Sequence, residues 1–250
     1  MNIVVINPNT TAAMTHRIAA TARSVAQPGT NIIAIQPGAG PASIEGYADE
    51  AMAVPHMLQA MYAQQSKDAT IAGYVIACFD DTGLDAARCM LSAPVVGIGE
   101  AAFHLASLIA PRFSVVTTLS RSVSPIEHNL VKYGLAVRCA RVRAAEVAVL
   151  ELENAASDAY ARISNEIRMA LIEDRSEAVV LGCAGMTDLA ARLSQEHGVP
   201  VIDGVGAAVK LIESLAALGL KTSKRVTYAS PLSKAYAGAV PNFIDVQLKH

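Results

Sequence analysis

Apolar residues along the chain follow two alternating rhythms. Short, β-branched runs at 2–6 (NIVVI), 31–35 (NIIAI), 72–77 (AGYVIA), 94–98, 113–117 (FSVVT), 135–142, 178–182 (AVVLG) and 200–202 predict strands. Between them, apolar residues recur every three or four positions, which predicts helices near 11–26, 50–66, 82–91, 100–110, 124–133, 155–173, 187–197 and 204–218. Strands that alternate with helices form parallel sheets with helices on both faces. The expected class is therefore α/β.

The pattern also repeats. "YVIACFDDTGLDAARCMLSAPVVGI" begins like "AVVLGCAGMTDLAARLSQEHGVPVID": an apolar strand, a cysteine, Thr four positions on, Leu six on, Ala-Ala-Arg, then a Pro-Val strand. Cys78 and Cys183 are 105 positions apart, and Pro94 and Pro200 are 106 apart. "NIVVINPNT" and "FSVVTTLSR" echo each other more weakly. Two pseudo-symmetric lobes follow, each a parallel four-stranded sheet flanked by helices, with a cleft between them. The expected division is 1–98 plus 206–250 for lobe one and 99–205 for lobe two. The stretch after Leu220 is less periodic, and is expected either to wrap a neighbouring subunit or to lie loose.

Composition changes this picture little. The 250 residues are 52% hydrophobic and 17% charged, below the usual ~25% charged. A net charge of −2, no Trp and four Phe give no basic stripe and no stacking platform, so no nucleic-acid partner is expected. The stretch 93–110 is the most membrane-like, but Pro94, Glu100 and His104 break it, so no membrane span is expected. The N-terminus carries no charged leader or cleavage site and reads as mature and cytoplasmic.

Four cysteines (Cys78, Cys89, Cys139, Cys183) form no CxxC pair and no cluster with histidine, so no metal and no structural disulfide are expected. Cys89 and Cys139 read as inert. Cys78 and Cys183 stand at strand ends, where open α/β sheets bind ligands. A helix N-terminus beside each would lower its thiol pKa. Two thiols on opposite sides of a carbon suit cofactor-free stereoinversion: one removes a proton from one face and the other delivers a proton to the opposite face. The alternative is that both are small fillers at equivalent packing positions of a duplicated fold.

"INPNT" at 6–10, "SIEGYADEA" at 43–51, "VIACFDD" at 75–81, "VVTTLSRS" at 115–122, "LGCAGM" at 181–186 and "GLKTSK" at 219–224 together resemble the hydantoin and allantoin racemase branch of the aspartate/glutamate racemase superfamily. The resemblance runs from residue 2 to about 224. It implies a cofactor-independent racemase acting at C5 of a hydantoin ring, with Cys78 and Cys183 as the acid/base pair, and a homo-oligomer. Proton loss from C5 yields an enolate, which needs hydrogen-bond donors. Gly182, Gly185 and the backbone from Cys78 to Asp80 are candidates.

Other candidates carry two readings each. Asn7, Pro8 and Asn9 open the first helix, with Thr10 and Thr11 as caps, and Asn9 is a candidate ring contact. Asp81 is expected to cap helix 82–91, whereas Asp80 either caps or binds a ring N–H. Thr117, Thr118 and Arg121 open lobe two; the hydroxyls suit ring carbonyls, and Arg121 suits an acidic or ureido substituent or a structural role at the rim. Ile44 and Phe79 line a substituent pocket or belong to the core. His104 and His128 read as helix-surface or core residues. Rival functions are an allantoin racemase, an amino-acid racemase of the aspartate or glutamate type, a one-cysteine decarboxylase or isomerase, and a cysteine redox or binding protein.

Overall fold

The computed structural model describes residues 1–154 and 156–234. Strands β1 (Asn2–Ile6), β2 (Asn31–Ile35), β3 (Ile71–Ile76) and β4 (Val95–Gly97) form one parallel sheet in the order β2-β1-β3-β4. Strands β5 (Phe113–Thr117), β6 (Cys139–Ala144), β7 (Ala178–Gly182) and β8 (Val201–Ile202) form a second parallel sheet in the matching order β6-β5-β7-β8. The shared order is the structural form of the sequence repeat.

Among the described residues eight α-helices cover the sheets: α1 (Ala12–Val25), α2 (Tyr47–Lys67), α3 (Leu84–Met90), α4 (Ile98–Ile109), α5 (Val123–Lys132), α6 (Ala159–Ile172), α7 (Ala190–His197) and α8 (Gly204–Ala217). The central strands β1, β3, β5 and β7 are largely apolar on both sides because both sides are buried. Val4, Ile6, Tyr74 and Ile76 share an outer core with Met57 and Met61 of α2 and Leu84 of α3. Val116, Val179 and Leu181 do the same with Ile163 and Ile167 of α6 and Leu193 of α7. The alternate residues, Ile3, Val5 and Val75 of one sheet and Val115 and Val180 of the other, meet a single inner layer with Ile18, Phe103, Val209 and Ile212 of α1, α4 and α8. The two sheets thus share one core, a reason for the lack of a linker between them. Phe103, fully buried, anchors that layer: its ring is 5.3 Å from Phe79, edge to face, and 6.1 Å from Phe113, stacked. Each such pair contributes about 0.5–1.5 kcal/mol beyond area burial.

Several boundaries differ from expectation for local reasons. Helix α2 starts at Tyr47 rather than near 50, because Gly46 caps it and Asp49 accepts the Glu45 N–H at 3.0 Å, so its acidic residues form the first turn. The expected strand 135–142 begins with a 3₁₀ turn, Ala136–Arg138, and extends to Ala144. The expected helix 155–173 begins at Ala159, after another such turn at Val149–Glu153. The helix expected at 187–197 is a 3₁₀ turn, Ala184–Leu189, continued by α7.

The stretch after Leu220 is tied to α3 and the loop that follows it: Thr222 donates to the Ser92 and Ala93 carbonyls, Lys224 to those of Arg88 and Cys89, and Tyr228 to Asp85. Residues 235–250, the rest of the stretch expected to wrap a subunit or lie loose, are outside the described residues. Among the described residues no helix is long and apolar enough to cross a membrane.

Candidate active site

The carboxyl ends of β1, β3, β5 and β7 converge on one small, open cavity. Pro8 and Asn9 follow β1, Ala77 to Asp80 follow β3, Thr118 and Ser122 follow β5, and Gly182 to Ala184 end β7; Met14, Ile44 and Val149 complete the wall. Cys78 and Cys183, one from each sheet, line the same cavity. Of the other sequence candidates, the fold brings Asn9, Ile44, Phe79, Asp80, Thr118 and Gly182 to it.

Three candidates do not line it. Thr117 is fully buried, its hydroxyl donating to the Gly182 carbonyl at 3.0 Å. A Cβ on Gly182 would lie 2.9 Å from the Thr117 Cα, so glycine is what lets β5 and β7 close up here. Gly185 is outside the lining and donates its N–H to the Cys183 sulfur at 3.4 Å. Arg121 is exposed and lies in a separate notch beside Gly46, Tyr47 and Asp49.

A helical turn does start at Cys183, whereas none starts at Cys78, and at neither position is the thiol pKa lowered. Cys78 is six residues ahead of α3 and separated from it by a tight turn, in which the Asp81 N–H donates to the Cys78 carbonyl at 3.0 Å and Asp81 has φ 53°. Cys183 caps only the 3₁₀ turn Ala184–Leu189. Burial pushes the Cys78 thiol far above its ordinary pKa, helped by the Asp80 carboxylate, while the Thr82 hydroxyl, 3.2 Å from the sulfur, opposes the rise. Burial likewise pushes Cys183 up to about 12, against the Gly185 N–H, which donates to its sulfur at 3.4 Å. Desolvation outweighs the local donors because a thiolate loses much of its hydration and one or two N–H or O–H groups do not replace it.

Asp80 itself is pushed up to about 7, by burial first and then by Glu50. Its backbone carbonyl accepts from Asn129 of α5 at 2.8 Å. Asp81 does not cap α3. Its carboxylate accepts the Gly99 and Glu100 N–H groups at the start of α4, at 2.9 and 2.8 Å, and the Tyr133 hydroxyl at 2.7 Å. A Cβ at Gly97 would lie 2.0 Å from that carboxylate, so the approach requires glycine.

The asparagine loop also works differently from a simple cap. Thr11 stands at the N-cap of α1 but makes no side-chain capping bond; the Thr10 and Thr11 hydroxyls donate to the Pro41 and Ala42 carbonyls instead. Asn9 accepts from Asn7 at 2.8 Å and from the Thr11 N–H at 2.9 Å, which fixes its side chain at the cavity wall. His104 is exposed, bonded to the Glu100 carbonyl of its own helix. Sequence reasoning missed Met14, Ser122 and Val149; only Ser122, next to Arg121 in the loop already singled out, carried a signal.

Two sheets of matching strand order, whose central strand ends meet at a cavity lined by two cysteines, define a duplicated α/β fold with a candidate site where the sheets meet. The chain belongs to the Asp/Glu/Hydantoin racemase family, whose model matches residues 3–212. It is 50% identical over 238 residues to a hydantoin racemase of Rhizobium meliloti, covering 95% of this chain and 98% of the relative. To a hydantoin racemase of Pseudomonas sp. (strain NS671) it is 44% identical, covering 97% of both. Among solved structures, the allantoin racemase from Klebsiella pneumoniae matches with TM-score 0.95 and 48% identity, covering 98% of this chain and 100% of that one. Glutamate racemase from Francisella tularensis, at 15% identity and TM-score 0.65, shares the fold.

Proposed function

We propose that the chain racemises 5-substituted hydantoins without a cofactor, with Cys78 and Cys183 exchanging protons with opposite faces of C5. The observation that carries this reading is that one cysteine from each repeat lines a single cavity, in a chain that matches hydantoin racemases over nearly its whole length. The C5 hydrogen lies beside a carbonyl and a ring nitrogen, so its removal gives a delocalised enolate. In one direction the Cys78 thiolate takes the C5 proton while the Cys183 thiol gives one; in the other the roles exchange. Positioned acid and base groups contribute roughly 10²–10⁴ each in rate. Asn9, Thr118 and the Asp80 carboxyl are the side chains that meet the ring's carbonyl and N–H edges in this reading, with Ile44 and Phe79 against the C5 substituent.

The likeness to an allantoin racemase structure favours allantoin, a hydantoin with a ureido group at C5, as a second candidate. An aspartate- or glutamate-type substrate fits less well, since among the described residues no Lys or Arg lines the cavity. The test is circular dichroism of enantiopure 5-alkylhydantoins, allantoin, aspartate and glutamate with chelated, dialysed protein. Decay confined to hydantoin-ring substrates supports the proposal; racemisation of free amino acids, or activity restored only by a metal, overturns it. A homo-oligomer in the cytoplasm is part of the same reading, checked by sedimentation and by fractionation.

A further inference from the structure

We infer that Arg17, on α1 of the first lobe, is the positioning residue for Cys183 in the second. This rests on the proposal that Cys183 is an acid/base. Arg17 is the point where α1 grips the opposite lobe. Its Nη1 donates to the Gly185 carbonyl at 3.1 Å and to the Leu152 carbonyl at 3.2 Å, and its Nη2 to Glu153 at 3.1 Å. Asp188 lies 3.9 Å away. The fork therefore joins both segments that flank the Cys183 side of the cavity: the turn Val149–Glu153, which supplies Val149, and the turn Ala184–Leu189, which Cys183 caps.

The Gly185 residue held at its carbonyl by Arg17 is the same one whose N–H donates to the Cys183 sulfur at 3.4 Å. Fixing that residue fixes the donor. A planar guanidinium with several donors in fixed directions suits this role, and an ammonium does not reproduce it. The charged groups facing Cys183 are the Asp80 and Glu45 carboxyls and the Arg17 guanidinium; Arg17 alone favours the thiolate, and Glu153 and Asp188 partly neutralise it. Among the described residues nothing comparable touches Cys78, whose sulfur has the Thr82 hydroxyl instead. The two cysteines are thus supported by different means despite their equivalence in the repeat, and Arg17 acts on one of them only.

The experiment compares wild type, Arg17→Gln, Arg17→Lys and, as control, Arg23→Gln, an exposed position on the same helix. Limited iodoacetamide labelling at pH 8, mapped by mass spectrometry, reads Cys183 and Cys78 in the same molecules. For Arg17→Gln, labelling of Cys183 relative to Cys78 should fall about tenfold, the scale of one opposite charge and one held donor. Arg17→Lys should recover part of the ratio, kcat should fall with KM little changed, and Arg23→Gln should match wild type. A merely structural Arg17 would change both cysteines together, so an unchanged Cys183-to-Cys78 ratio in Arg17→Gln overturns the inference. Full racemisation by Cys183→Ala would overturn the underlying mechanism instead, which keeps the two failures apart.

Discussion

The hydroxyl of Thr82 donates to the Cys78 sulfur at 3.2 Å, whereas its counterpart in the repeat, Thr187, donates to Asp203 and leaves Cys183 to the Gly185 N–H. The same residue, four positions after each cysteine, has taken different work in the two lobes. In the first it tunes a sulfur. In the second it supports a helix cap, because Asp203 accepts the Val205 and Gly206 N–H groups at the start of α8 at 3.0 and 2.6 Å.

Thr82→Val keeps the shape and removes the donor. One hydrogen bond is worth about 0.5–1.5 kcal/mol, so racemisation should slow up to about tenfold, and labelling of Cys78 should fall relative to Cys183. Thr187→Val should instead cost about 1 kcal/mol of stability, lowering Tm by about 2–4 °C, with the labelling ratio unchanged. Calorimetry and mapped labelling separate the two outcomes; loss of stability alone in Thr82→Val would count against a donor role.

Asp80 gives the site a built-in pH response. Its carboxyl, pushed up to about 7 by burial and by Glu50, is mostly neutral below that pH and charged above it. The charged form disfavours thiolate at both Cys78 and Cys183. As pH rises through 7, hydroxide drives the thiols toward ionisation while the new carboxylate opposes it. The logarithm of the Cys78 labelling rate should therefore rise with a slope below one between pH 6 and 8. Asp80→Asn removes the opposing charge, so its slope should return to one and its labelling should exceed wild type several-fold above pH 7. Equal slopes would show that Asp80 does not reach the thiols electrostatically.

Asp81 is a stability residue one position away. The buried Asp81 side chain joins the Cys78 turn to the start of α4 and to Tyr133 through three hydrogen bonds, one fully buried and two partly so. Asp81→Ala leaves two N–H groups and a hydroxyl without their partner, at about 3 kcal/mol, and Tm should fall by about 6–12 °C. A Tm within 2 °C of wild type, as a small surface substitution would give, would contradict this role.

The sequence was most informative where local physics and the global fold agree. Val4 and Ile6 face one core and Ile3 and Val5 another, so a run apolar on every position read correctly as a strand buried on both sides. The repeat was legible because Cys78 and Cys183 stand at equivalent strand ends in sheets of equal order. What stayed hidden depends on distant partners. Asp81 looks like a cap for the helix that follows it, and only the return of β4 beside β3 brings α4 within its reach. Thr117 looks like its neighbour Thr118, yet strand alternation turns one inward to Gly182 and the other to the cavity. Arg17 sits in a helix with ordinary periodicity, and its partners Leu152, Glu153 and Gly185 are more than a hundred positions away. The thiol environment was misjudged because burial depends on the whole molecule, whereas a helix start is a local feature.

Cys78→Ala and Cys183→Ala, each given the separate enantiomers of a 5-alkylhydantoin in deuterated water, test the facial assignment most directly. NMR follows loss of the C5 proton and circular dichroism follows the stereocentre, both corrected for the spontaneous rate. Neither variant should racemise, since one of the two faces lacks its acid or base. Each should still exchange the C5 hydrogen of one enantiomer with retention, and the preferred enantiomer should be opposite in the two variants. Exchange of the same enantiomer by both variants would contradict the assignment of one cysteine to each face, and undiminished racemisation by either would remove that cysteine from the reaction.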